Sequence, residues 1–156
     1  MAKWGKADYR QLLQLQKNIE ELSKKANMDA FCEACCKELA ARLLGLVIPR
    51  TPVGKYPKSS GKKGGTLRRG WGAETAGEAK AYAESLKVTK TGGTYMIEII
   101  NPVYYAIYVE YGHRTATGGW VEGRYMLTIS EEELEKIAPQ LLEKKLRKYL
   151  KEVFNV

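Results

Sequence analysis

The chain has 156 residues, 44% of them hydrophobic, enough to bury one core in a single soluble domain. Its longest apolar run, residues 43–48, is far too short to span a bilayer, and the opening MAKWGKADYRQ has no apolar stretch after its lysines. Neither a membrane-spanning nor a secreted protein is therefore expected, and the three cysteines should stay reduced in a cytoplasm. The formal net charge of +8 is local, because Arg50, Lys55, Lys58, Lys62, Lys63, Arg68 and Arg69 supply seven positive charges with no acid anywhere in residues 50–73.

In chain order, Leu12, Leu15, Ile19 and Leu22 recur at three and four residues and predict an amphipathic helix over residues 7–25. Asn27 suits the N-cap of a second helix through Phe31, Cys35, Leu39, Leu43 and Leu46, which Pro49 and Pro52 stop. The Gly, Ser, Lys and Pro-rich stretch at about residues 54–66 cannot bury enough apolar surface to order itself and predicts a flexible basic loop carrying Lys55, Lys58, Lys62 and Lys63, with Arg68 and Arg69 following it. Residues 66–73 read as a strand. Leu86 and Val88, then Tyr95, Ile97 and Ile99, alternate with polar or outward positions on either side of TKTGGT, predicting a hairpin. Asn101-Pro102 ends its last strand, and residues 103–111 read as a short helix with Tyr105 and Val109 on one face. Ser130 with Glu133 forms a capping-box pattern at the start of a C-terminal helix, with glutamates at 131–133 facing the positive end of its dipole. Ile137, Leu141, Leu142, Leu146, Tyr149, Leu150 and Val153 supply its apolar stripe, and Pro139 either kinks it or starts its second half. The fold class is α+β, with N- and C-terminal helices packed on one face of a three- to five-stranded, mostly antiparallel sheet, as one domain over residues 1–156.

Catalytic chemistry finds little support. Cys32, Cys35 and Cys36 share one side of a helix, but with no second cysteine pair and the only histidine far along the chain, no four-ligand metal site can be assembled; they read as small buried side chains against the sheet. Glu110 beside His113 has the makings of a base and its orienter, yet no nucleophile motif accompanies them, and Glu110 with Arg114 at i and i+4 reads more simply as an ion pair at a helix end or subunit edge. The run Gly61 to Thr66 lacks both the spacing and the preceding strand of a P-loop. No catalytic residue, metal or cofactor is assigned.

Residues 101–130 are the most informative. Tyr104, Tyr105, Tyr108, Tyr111, Trp120 and Tyr125 are of the type enriched at the centres of protein interfaces, and Gly112, Gly118, Gly119 and Gly123 break any regular element between them. The interface candidates are Tyr104, Tyr108, Glu110, Tyr111, His113, Arg114, Trp120 and Tyr125.

The run NPVYYAIYVEYGHR, with TPVG at residues 51–54 and GTLRRGW at residues 65–71, resembles the tail-completion, or neck, family of long-tailed bacteriophages, over a stretch from the middle of the first helix to about Ser130. Between Val53 and Gly65 this chain inserts GKYPKSSGKKG where the family closes a short turn. The resemblance implies a non-enzymatic virion protein, assembled in the host cytoplasm, that forms a ring of six subunits. It would contact itself, the tail-tube protein and a head-closure or connector protein, with the basic loop facing either an acidic neighbour or DNA in the channel. An alternative from another class is a sequence-independent nucleic-acid-binding module that uses the basic loop with base stacking from Tyr56 and Trp71.

Overall fold

The computed structural model describes residues 9–25 and 27–154; the expected helix start at Ala7, the side chain of Leu22 and most of the opening segment lie outside them. Six helices and two antiparallel hairpins make an α+β fold. Its axis is α2, Met28–Arg50, which Asn27 caps by accepting the Ala30 N–H at 3.0 Å, as its sequence predicts. The helix ends between Pro49 and Pro52, where Thr51 turns to extended backbone. Ala40, Leu44, Val47 and Ile48 on α2 are buried, and against them pack Ala79 and Ala83 of α4 (Ala79–Ser85), Met126 of α6 (Met126–Phe154), and Leu67 and Trp71 from the intervening segment. Small alanines let α4 lie close along α2, and the Lys37 ammonium donates to the Glu84 carbonyl at 2.7 Å.

The expected hairpin forms from β1 (Val88–Thr91) and β2 (Thr94–Ile97), in register Val88 to Ile97, with Gly92 at φ 60° in the turn. Tyr95, Ile97 and Ile99 are half-buried toward α2 while Met96, Glu98 and Ile100 face solvent, which is the alternation read from sequence. Near its turn the hairpin is tied to the start of α2: Asp29 accepts from Lys90 at 2.7 Å and from the Tyr95 hydroxyl. The Lys90 and Tyr95 hydrogen bonds hold the Asp29 carboxyl below its usual value, and the bond to Asp29 raises Lys90.

The structure corrects four expectations. Residues 66–69 are a helical turn, α3 (Thr66–Arg69), not a strand; Leu67 and Trp71 are both buried, four residues apart, a spacing that a helix and a strand satisfy equally. The single sheet of three to five strands is replaced by two separate pairs, the second formed by β3 (Gly112–Arg114) and β4 (Trp120–Glu122), and α6 packs chiefly on α2 and not on a sheet. The strand expected to run to Asn101 stops at Ile97. The C-terminal helix starts four residues before Ser130, so Ser130 is a buried interior residue whose hydroxyl donates to the Met126 carbonyl at 2.6 Å, and it caps nothing. This helix continues unbroken across Pro139. The first helix, α1 (Arg10–Lys25), has α6 as its main neighbour, and its apolar stripe lies in solvent.

Candidate functional site

The site is built on buried polar residues. Thr51 is fully buried; its hydroxyl donates to the Val47 carbonyl at 2.7 Å and accepts the Trp71 indole N–H at 2.8 Å, while its carbonyl accepts from Arg68 at 2.8 Å. Arg50 joins α2 to α6, donating to the Ser130 hydroxyl at 2.9 Å and to Glu133 at 2.6 Å. Asn101 donates to the Leu67 carbonyl at 2.8 Å and accepts the Val103 N–H, locking α3 to the segment that enters α5 (Ala106–Tyr111).

Glu110 is the hub. It is 5% exposed, and its carboxylate accepts the Leu127 and Thr128 N–H groups at 2.9 Å each and the Thr128 hydroxyl at 2.7 Å. A carboxylate thus sits on the unpaired N–H groups at the positive end of α6, the role that the sequence pattern gave to Ser130 and the following glutamates. In return the Arg124 and Tyr125 N–H groups bond the Val109 and Glu110 carbonyls at the end of α5. Gly123 is required at this crossing, because a Cβ there would lie 2.3 Å from the Glu110 carbonyl oxygen. Two readings of Glu110 are thereby corrected. It does not pair with Arg114, since α5 ends at Tyr111 and Arg114 lies in β3, and it orients no base, since its oxygens are committed to α6.

Fixed by this scaffold, the other side of α5 faces solvent. Tyr108 and Tyr111, three residues apart on α5, are 52% and 57% exposed, and Tyr104, in the turn that leads into the helix, is 85% exposed. In the adjoining β3–β4 hairpin Trp120 lies opposite Arg114 and Val121 opposite His113, on the two faces of the ribbon, and Tyr125 is in edge contact with Tyr111. His113 is exposed and meets the Tyr108 ring edge-on at 5.9 Å. Of the six aromatics in this segment only Tyr105 turns inward, against the core with Val109. Ile107, Val121 and Ile129 add exposed apolar area that the search for aromatics missed, although Ile107 follows Tyr104 at helical spacing. Exposed aromatic and apolar side chains gathered in this way are the kind of surface that marks interaction sites.

The basic segment divides in two. Lys55, Lys58, Lys62 and Lys63 are exposed, and among the described residues no acid pairs with them; Lys62 stands 6.0 Å from the Tyr56 ring. Arg68 and Arg69 do not belong with them, because Arg68 donates to the Pro49 and Thr51 carbonyls and Arg69 to Gly64 and Thr66, near Glu74. The base of the loop is pinched shut, with Gly64 so close to Gly54 that a Cβ would lie 2.0 Å from the Gly54 carbonyl oxygen. Trp71 is 3% exposed, which removes it as a base-stacking residue.

Cys32, Cys35 and Cys36 are half-buried along a groove between α2, α6 and the β1–β2 hairpin, and burial pushes the Cys35 and Cys36 thiols up, keeping them protonated. Among the described residues no group of three or more His, Cys, Asp or Glu side chains is placed to hold a metal, and no helix is long and apolar enough to cross a membrane.

A family model described as "Bacteriophage HK97-gp10, putative tail-component" matches residues 14–112, from within α1 to the first residue of β3. The match takes in Thr51, Leu67, Trp71, Asn101 and Glu110 and stops short of Trp120 and Tyr125. No curated protein and no solved structure matches the chain.

Proposed function

Because this chain belongs to the bacteriophage HK97-gp10 tail-component family, we propose that it is a non-enzymatic structural subunit of the phage neck, forming a ring that completes the tail and joins it to the head connector. The observation that supports this reading best is the exposed face of Tyr104, Tyr108, Tyr111, Trp120 and Tyr125, set rigidly by the buried Glu110 crossing. Rigid aromatics cover area at little entropic cost, and a preorganised surface loses less on association. His113 and Arg114 supply polar contacts at its edge, while Glu110 acts from below as a positioning residue. In a ring, each subunit would meet its neighbours, the tail-tube protein and a head-closure protein through different patches.

The four unpaired lysines favour a second, compatible contact, with DNA in the channel or with an acidic neighbouring protein. Salt separates the two. Binding of the purified protein to duplex DNA through phosphates should weaken steeply between low and physiological salt, whereas association through aromatics should change little.

The assignment is tested by deleting the gene from the phage that carries it. The expected result is DNA-filled heads and tails that do not join, or tails of uncontrolled length, with replication and packaging intact. Normal infectious particles would remove the neck role, and arrest before packaging would favour nucleic-acid binding.

A further inference from the structure

We propose that α1 of one copy lays its apolar stripe into the groove between α2, α6 and the β1–β2 hairpin of a second copy, so that the chain associates head to tail. The inference rests on the self-assembling reading above and supplies the two unlike patches that a closed ring needs, beside the aromatic face.

Both halves are present in one chain. Leu12, Leu15 and Ile19 form a stripe on α1 and are 62%, 51% and 53% exposed. An isolated helix of 16 residues is marginal in water, so this one requires a surface to pack on, and its own α6 leaves the stripe bare. The stripe is bordered by uncharged amides at Gln11, Gln16 and Asn18, so seating it would strip little charge of water. The groove is open, with a volume of about 720 Å³, and Phe31, Cys32, Cys35, Leu39, Leu142 and Leu146 line it, with protonated thiols that behave as small apolar groups. The chain's own groove does not take α1, whose main neighbour is α6. The size also suits one of two contacts between copies: one face of a 16-residue helix against a groove with 12 lining residues makes part of a standard interface of roughly 20 residues a side, and the exposed aromatics can supply the rest.

The test is sedimentation velocity of full-length variants. Leu15→Asp with Ile19→Asp changes side chains that are already more than half exposed, so the fold should be unchanged by circular dichroism while self-association weakens by at least about tenfold. Leu146→Asp, 41% exposed on the groove side, should do the same. Mixed in equal amounts, the two variants should form a discrete heterodimer, because the α1 variant keeps its groove and the groove variant keeps its α1. Wild-type association by the α1 variant overturns the inference, as does a mixture that stays monomeric. If Tyr108→Ala weakens association while both these variants assemble normally, the self-assembling reading stands and this inference falls.

Discussion

Two regions of this molecule meet on a single helix and do opposite things. The buried face of α5 carries Glu110, which ties the helix to the start of α6, while the solvent face carries Tyr108 and Tyr111, which meet the rings of His113 and Tyr125. The first region extends through Asn101, Trp71 and Thr51, three of the residues that carry the family resemblance, and each is engaged in holding one element to another. The second region straddles the end of the family match, with Tyr104, Tyr108 and Tyr111 inside it and Trp120 and Tyr125 beyond it. The buried scaffold residues thus lie wholly within the family match, whereas the exposed aromatics fall on both sides of its end.

The buried side of α5 is most sensitive at Glu110. Glu110→Ala leaves two N–H groups and a hydroxyl at the start of α6 without their acceptor and should cost about 2–4 kcal/mol of stability, read as a lowered urea midpoint, with assembly failing only as a consequence. Thr51→Val keeps the shape but strands the Trp71 indole N–H in the core, an expected loss of about 1–3 kcal/mol by the same measurement. On the other side of the helix the pattern inverts. Tyr108→Ala should leave the urea midpoint nearly unmoved and cost about 2 kcal/mol of association, roughly thirtyfold in dissociation constant by sedimentation equilibrium.

A smaller effect concerns acid. The Asp29 carboxyl is held low by Lys90 and Tyr95, so its contribution is complete above the ordinary carboxylate range and is lost as pH falls through the lowered value. Hydrogen exchange in β1 and β2 should accelerate on acidification, and Asp29→Asn should remove that dependence; an unchanged acid limb in the variant would show that another group is responsible. The exposed lysine loop should give the mildest readout, early tryptic cleavage after Lys58, Lys62 or Lys63 in the free subunit and protection in the assembled particle.

Much of this was legible from sequence, and the failures have identifiable causes. α2 was readable because its cap, periodicity and stop signals are all local, and the β1–β2 hairpin because two alternating runs flank a glycine pair. The start of α6 was not, since its cap comes from Glu110, 17 and 18 residues away from the N–H groups it accepts, and a local capping pattern at Ser130 stood in its place. Arg68 and Arg69 were counted with the loop because charge counting does not see the backbone carbonyls they serve. The aromatic surface was picked out by residue type alone, and five of its six aromatics do face solvent.

The most direct test of that surface is Trp120→Ala, examined beside the wild type by negative-stain electron microscopy and by thermal melting on the same preparation. The wild type should form rings and the variant dispersed subunits, with the two melting at the same temperature once dissociated. A variant that melts markedly lower yet still forms rings would place Trp120 among the residues that hold the fold and contradict the separation of scaffold from surface.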